Sequence, residues 1–132
     1  MNKPIKVLLI DDNESCNFIT ERVLSKTGLA GDIAVKLNGK EALDYLMDID
    51  KDRKISFPEL IFLDINMPVM DGFEFLDQYE KAGFNKKLTR IVMLTSSMME
   101  SDRQRAFKFQ SVVDYLEKFM DVQKANEIIH AL

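Results

Sequence analysis

The sequence predicts a doubly wound α/β fold, in which a five-stranded parallel sheet carries helices on both faces. Short apolar runs rich in branched residues alternate five times with longer segments whose apolar residues recur at helical spacing. Runs that are almost entirely apolar are typical of strands buried on both faces. Strands joined by helical crossovers must run parallel, and such crossovers are right-handed.

Each predicted strand is a short apolar run. The expected strands are Ile5 to Ile10, Asp32 to Leu37, Glu59 to Leu63, Arg90 to Leu94 and Val112 to Leu116. The second strand is the weakest, because its apolar residues only partly alternate with polar ones. A sheet whose central strands are apolar on both faces must be covered by helices on each side.

The predicted helices follow the strands and are recognised by capping residues and apolar stripes. They are expected over Glu14 to Thr27, Lys40 to Met47, Gly72 to about Ala82, Met98 to Phe109, and the last segment from Val122. The charged stretch from Asp48 to Phe57 is expected to be a loop or a frayed helix end.

Capping residues and stripes also predict how the helices are oriented. Asp12 or Asn13 is expected to cap the first helix, Thr95-Ser96-Ser97 the fourth and Asp121 the last. In the first helix, the stripe predicted to face the sheet is Phe18, Ile19, Val23 and Leu24. In the third it is Phe75, Leu76 and Tyr79, and in the fourth Met99, Arg103, Ala106 and Phe107.

Composition narrows the class of protein. The 132 residues are 46% hydrophobic and 30% charged, which suits one globular domain over residues 1–132. A net charge of −4 argues against a nucleic-acid binder, which usually carries a basic face. The single cysteine, Cys16, suits a reducing cytoplasm. No apolar run has the length of a membrane span, so no membrane is expected as a partner.

Chemically reactive side chains follow four of the predicted strands. Asp11 and Asp12 come after the first, Asp64 after the third and Thr95 after the fourth, and Lys118 lies just beyond the fifth. In doubly wound sheets, ligands bind at the carboxyl ends of the strands. We therefore expect three carboxylates, a hydroxyl and an amine to meet at one edge of the sheet.

This combination of groups predicts phosphoryl chemistry with a metal. Three carboxylates held together repel one another, and Mg²⁺ would relieve the repulsion while keeping positions open for a phosphoryl group. Lys118 is placed to pair with another phosphoryl oxygen. A carboxylate can itself attack phosphorus, and Asp64, alone at its strand end, is the candidate nucleophile. Thr95 is placed to hydrogen-bond the phosphoryl group once it has arrived.

Four motifs together resemble those of the receiver domains of two-component response regulators. They are Asp11-Asp12, the run Asp64-Ile-Asn-Met-Pro-Val-Met-Asp-Gly72, Thr95, and Tyr115-Leu-Glu-Lys118. Each is common by itself, whereas all four in order and on the expected elements are specific to this family. The resemblance covers essentially the whole chain. It implies a flavodoxin-like sheet with strand order 2-1-3-4-5.

The resemblance implies a role for each acid. Asp64 would accept a phosphoryl group from a phosphohistidine on a histidine kinase or a histidine phosphotransfer protein. Asp11 or Asp12, Asp64 and the backbone carbonyl of Asn66 would hold Mg²⁺. The chain would be a stand-alone receiver without an effector domain. It would signal through contacts with an unknown downstream protein, and it would catalyse only its own phosphorylation and dephosphorylation.

The resemblance also implies a switch. Thr95 and Tyr115 would form the switch pair, and Tyr115 would move inward as Thr95 engages the phosphate. Lys118 would contact the phosphoryl group. The family usually has a proline directly after this lysine, often in a cis bond, whereas Phe119 follows it here. This departure leaves open whether the bond is cis and how firmly Lys118 is placed.

The same residues also bear on three alternative functions. A phosphatase of the haloacid dehalogenase kind usually has a second acid two residues after its nucleophile, where this chain has Asn66. A receiver that binds partners without phosphorylation is disfavoured by the intact acids but kept open by Phe119. A flavodoxin-like cofactor carrier needs a hydroxyl- or glycine-rich loop after the first strand. Here Asp11 and Asp12 would repel a phosphate in the absence of a metal.

Overall fold

The computed structural model describes residues 4–52, 54–84 and 87–132, and within them five strands alternate with five helices. The strands are β1 (Ile5–Ile10), β2 (Ala30–Lys36), β3 (Leu60–Leu63), β4 (Arg90–Thr95) and β5 (Val112–Glu117). The helices are α1 (Glu14–Lys26), α2 (Gly39–Asp50), α3 (Gly72–Lys81), α4 (Glu100–Phe107) and α5 (Val122–His130). None of these helices is long and apolar enough to cross a membrane.

The sheet is parallel throughout, and its order β2-β1-β3-β4-β5 confirms the predicted topology. Ile10 at the end of β1 pairs with Leu63 at the end of β3, and Leu63 pairs with Met93 on β4. The central strands therefore end nearly level. Asp11 and Asp64, which follow two of these ends, leave the sheet at the same edge.

Helices cover both faces of the sheet, as predicted. Side chains alternate along each strand, so Ile61 and Leu63 face one layer while Leu60 and Phe62 face the other. The first layer contains the buried residues of α2, α3 and α4, and the second contains those of α1 and α5. The predicted inward stripe of α3 is confirmed by the burial of Phe75, Leu76 and Tyr79.

The predicted stripe of α1 is confirmed only in its second half, where Leu24 is buried and Val23 packs against the core. Phe18 is 57% exposed and Ile19 is 37% exposed, whereas Asn17, Thr20 and Leu24 are buried. The buried residues follow a spacing of three and four, so they form one helical face, which shares Leu24 with the predicted stripe but carries polar residues in the first half of α1. The cause is tertiary, because the Asn17 side chain donates a hydrogen bond to the Asp11 carbonyl at 2.9 Å.

The predicted start and cap of the fourth helix are also wrong. Helix α4 begins at Glu100, and its N-cap Met99 makes no side-chain capping bond. Thr95 and Ser97 form a separate turn, in which the Thr95 hydroxyl accepts from the Ser97 N–H at 3.2 Å. The predicted stripe is confirmed at Ala106, the buried residue of α4, whereas Met99 is 62% exposed and Phe107 is 41% exposed.

The polar stretch after the second predicted helix is partly helical. Helix α2 continues to Asp50, three residues beyond the predicted end at Met47. Lys51 is the C-cap, and the chain then turns away. Arg53, which belongs to the predicted loop from Asp48 to Phe57, lies outside the described residues.

Candidate functional site

Three acids converge at the carboxyl edge of the sheet. One carboxylate oxygen from each of Asp11, Asp12 and Asp64 lies within 4.8 Å of the others. Asp11 and Asp64 are each 7% exposed, while Asp12 is exposed to solvent. Oxygen atoms this close together can be bridged by one cation, and a site open on the Asp12 side lets a ligand enter. The structure thus brings together the three acids that the sequence placed at strand ends.

Lys118 lies between the two buried acids. Its Nζ is 2.7 Å from Asp11 Oδ2 and 3.4 Å from Asp64 Oδ2, and its side chain is only 10% exposed. The Lys118–Phe119 peptide bond is cis. The distances show that the Lys118 amine reaches both acids although phenylalanine follows it in place of proline.

The electrostatics of the site leave negative charge only partly neutralised. Burial raises the pKa of Asp64, and the negative charge of Asp11 raises it further, against the opposing effects of Lys118 and the Thr95 hydroxyl. Burial lowers the pKa of Lys118, but its hydrogen bond with Asp11 and the charges of Asp64 and Asp11 outweigh this and leave that pKa raised. Lys118 is therefore protonated at neutral pH, and its one charge faces two buried carboxylates, so a further cation is favoured.

Asp64→Asn is expected to stabilise the metal-free protein at neutral pH. An acid with a raised pKa in the folded state binds more protons when folded, so its contribution to stability falls as the pH rises through that pKa. The variant should therefore unfold at a higher urea concentration than the wild type at neutral pH with EDTA present. The difference should shrink as the pH falls towards 3.8, the ordinary pKa of the group.

Asp32→Asn is the matched control for this comparison, because Asp32 is exposed on β2, outside the acid cluster. Its urea midpoint should follow that of the wild type at each pH. Equal midpoints for Asp64→Asn and the wild type at neutral pH would show that the ionised carboxylate does not oppose folding.

The start of α1 holds Asp11 in place. Asn13 caps the helix by accepting from the Cys16 N–H at 3.0 Å, which confirms one of the two predicted caps. Asp11 Oδ1 accepts from the Asn13 N–H at 2.9 Å, and the Asn17 amide donates to the Asp11 carbonyl. Asn17 was missed by the sequence reasoning. The signal available in the sequence was a polar residue four positions after the cap Asn13, on the same helical face.

Thr95 and Tyr115 are linked through Ser97. Thr95 is fully buried at the end of β4, and its hydroxyl accepts from the Ser97 N–H. The Tyr115 hydroxyl donates to the Ser97 carbonyl at 3.0 Å, and Tyr115 is only 8% exposed, so it already lies inward. Ser97 Oγ in turn donates to Asp102 Oδ2 at 2.6 Å, which ties the β4–α4 turn to the first turn of α4.

The loop between β3 and α3 forms the open side of the site. Asn66 is exposed and lines, together with Asp12, Pro68 and Asp71, a shallow depression at the surface. The loop is tight, because the Met70 N–H donates to the Pro68 carbonyl at 2.7 Å around Val69, whose φ is 67°. Asn66 thus flanks the acid cluster on the side from which a ligand would approach.

Gly72 touches the backbone of Asp64. Its N–H donates to the Ile65 carbonyl at 2.8 Å, and a Cβ at this position would clash with the Asp64 carbonyl oxygen. The sequence predicted only that a helix opens here, which it does, with a capping box between Asp71 and Glu74. Gly72 therefore also packs against the backbone of the candidate nucleophile, Asp64. The sequence signal for this contact was the Asp-Gly pair at the start of the helix.

Comparison with known proteins agrees with this geometry. The family model described as response regulator receiver domain matches residues 7–130. The chain is 32% identical over 129 residues to the probable methanogenesis regulatory protein FilR2 of Methanothrix harundinacea (strain 6Ac), covering 96% of this chain and 81% of that protein. It is 31% identical to hybrid signal transduction histidine kinase G of Dictyostelium discoideum over 96% of this chain, but spans only 3% of that protein.

The fold matches a solved structure over nearly its full length. A two-component response regulator from Cytophaga hutchinsonii superposes with a TM-score of 0.88 at 26% identity, covering 98% of this chain and 97% of that one. The match of the family model, the strand order and the acids at the strand ends all agree. The chain therefore belongs to the family of response regulator receiver domains.

Proposed function

We propose that the chain is a phosphorylation-controlled switch in which Asp64 accepts a phosphoryl group in a Mg²⁺-dependent reaction. The observation that carries this proposal is the convergence of Asp11, Asp12, Asp64 and Lys118 at one point of the sheet edge. Packing alone would not favour two buried carboxylates around one amine, because burying charges costs free energy. A site that receives a metal and a phosphoryl group accounts for them.

The residues present fit Mg²⁺. This ion takes oxygen ligands and is usually held by one or two carboxylates with waters and phosphate oxygens in the other positions. Asp11, Asp12 and Asp64 offer carboxylate oxygens. Asn66 lines a surface depression with Asp12, and its backbone carbonyl would be a further ligand. When bound, Mg²⁺ would neutralise charge on the incoming phosphoryl group.

The chain's own residues would carry out the transfer. An Asp64 carboxylate oxygen forms a bond to phosphorus while the bond from phosphorus to the partner's imidazole nitrogen breaks, and the imidazole keeps that electron pair. Lys118, protonated and within 3.4 Å of Asp64, pairs with a phosphoryl oxygen. The Thr95 hydroxyl hydrogen-bonds another oxygen and draws its turn towards the site. That movement would stabilise the inward position of Tyr115 and alter the face of α4, β5 and α5.

The phosphodonor would be a histidine kinase or a histidine phosphotransfer protein. A segment of a protein named as a histidine kinase is similar to this chain, which supports a partner of that class. The output would pass to a downstream protein by contact, with no reaction on other substrates. A cytoplasmic location suits a chain with one cysteine.

Intact-mass measurement tests the proposal. Incubation with Mg²⁺ and acetyl phosphate should add a single phosphoryl group that is stable in acid and lost in base. Asp64→Asn or EDTA should abolish the adduct, whereas Asp32→Asn, the exposed control, should retain it. No adduct under any condition would favour a receiver that binds partners without phosphorylation. Rapid hydrolysis of many phosphate esters would favour a phosphatase.

A further inference from the structure

A small polar cavity lies behind the acid cluster, beneath α1. Its volume is about 10 Å³, which is the space one water molecule needs. The polar residues that line it are Asp11, Asn17, Thr20 and Asp64. Apolar side chains of β1 and β3, among them Leu9 and Phe62, close its inner end. The cavity therefore connects the carboxylates of the site with two polar side chains of α1.

Thr20 is the second polar residue of α1 that lines the cavity. It is only 6% exposed, and no hydrogen bond joins its hydroxyl to any residue within 4–52, 54–84 or 87–132. Among the described residues, Tyr79 Oη is the fully buried side-chain polar atom without a partner. The Thr20 hydroxyl is not such an atom, so it keeps some surface that a water in the cavity can reach. Thr20 lines the cavity, so the cavity is where its partner would be found.

Asn17 lines the same cavity and has hydrogen-bonding capacity left. Its amide nitrogen donates to the Asp11 carbonyl at 2.9 Å, while its amide oxygen has no partner among the described residues. Asn17 and Thr20 are three residues apart on α1 and therefore lie on one helical face. Together with an oxygen of Asp11 or Asp64, they supply the three hydrogen-bonding partners that a buried water typically has.

We propose that one ordered water occupies this cavity, and that Asn17 and Thr20 act through it as positioning residues for Asp11 and Asp64. The water joins the α1 side chains to the acids, which limits the movement of the carboxylates and so favours metal binding. The inference rests on the proposed function, because it assigns these two residues a role in preparing the same acids for Mg²⁺ and the phosphoryl group.

Two variants of Thr20 test the positioning role. Thr20→Val keeps the shape and removes the hydroxyl, whereas Thr20→Ser keeps the hydroxyl. Isothermal titration with Mg²⁺ should show affinity weakened about 10-fold in Thr20→Val, the effect expected for residues that orient metal ligands. Thr20→Ser should bind Mg²⁺ as the wild type does. Unchanged affinity in Thr20→Val, or an equal loss in both variants, overturns the positioning role.

Urea unfolding of the metal-free protein tests the water separately. If the hydroxyl has a water partner, Thr20→Val loses that hydrogen bond and its urea midpoint falls. If the cavity is dry, Thr20→Val removes an unsatisfied hydroxyl and its midpoint rises, which overturns the proposal. A wild type that binds no Mg²⁺ and accepts no phosphoryl group refutes the proposed function and with it the positioning role. The urea comparison still decides whether the cavity holds water.

Discussion

Lys118→Met is expected to lower the free energy of unfolding by about 3 kcal/mol at neutral pH without a divalent metal. The amine is 10% exposed and lies within 3.4 Å of two carboxylates that are themselves buried. Its removal leaves Asp11 and Asp64 without a compensating charge in a site where solvent screens them poorly. Urea denaturation in EDTA measures the loss.

Mg²⁺ should restore part of the stability that Lys118→Met loses, because a cation held by the acids replaces the missing charge. Lys40→Met is the matched control, since Lys40 pairs with Asp44 in a bridge whose side chains are 57% and 58% exposed. Loss of this exposed pair should cost less than about 1 kcal/mol and should not respond to Mg²⁺. Equal losses in the two variants would mean that Lys118 neutralises no buried charge.

Gly72→Ala is expected to destabilise the protein by about 3 kcal/mol and to weaken Mg²⁺ binding. An alanine in the first turn of a helix normally stabilises relative to glycine. Here the added Cβ would clash with the Asp64 carbonyl oxygen and lie 3.0 Å from Ile65 Cα, so the backbone must move. Overpacking of this kind costs about 1–3 kcal/mol. The displaced backbone carries the Asp64 carboxylate with it. Urea denaturation and Mg²⁺ titration measure the two effects.

Gly28→Ala separates the general cost of replacing a glycine from the effect on the site. Gly28 has a φ of 71°, and a Cβ there would meet nothing within 4 Å. Its replacement should cost about 1 kcal/mol through backbone strain and leave Mg²⁺ affinity unchanged. Wild-type Mg²⁺ affinity in Gly72→Ala would show that the contact with Asp64 does not position the carboxylate.

Much of the sheet and the convergence of acids could be predicted from local patterns. The apolar runs of β1 and β3 each stop at an acid, and parallel strands place such residues at the same edge. The predicted ends of the helices were less accurate. The segment Thr95-Ser96-Ser97 has residues that commonly cap helices. In the structure, however, the Ser97 hydroxyl donates a hydrogen bond to Asp102, and the Tyr115 hydroxyl donates one to the Ser97 carbonyl. Contacts of this kind override local preference and delay the start of α4.

The orientation of α1 shows where periodicity fails. Phe18 and Ile19 are the larger apolar residues, so an apolar stripe through them predicts burial. The structure instead buries Asn17 and Thr20, because that face lies against the acid cluster and supplies it with polar groups. Hydrophobic periodicity identifies helix faces that bury apolar side chains. It cannot identify a face whose polar side chains are buried against a cluster of acids.

The fold class, the strand order implied by the family resemblance, and the acids that follow each strand could all be predicted from the sequence alone. Three features became visible only in the folded chain: Lys118 reaches both Asp11 and Asp64, the Lys118–Phe119 bond is cis, and Gly72 packs on the Asp64 backbone. The contacts of Lys118 join residues that are far apart in the sequence. Lys118 and Asp64 are 54 residues apart, and local propensity carries no information about how closely the loops that hold them will pack.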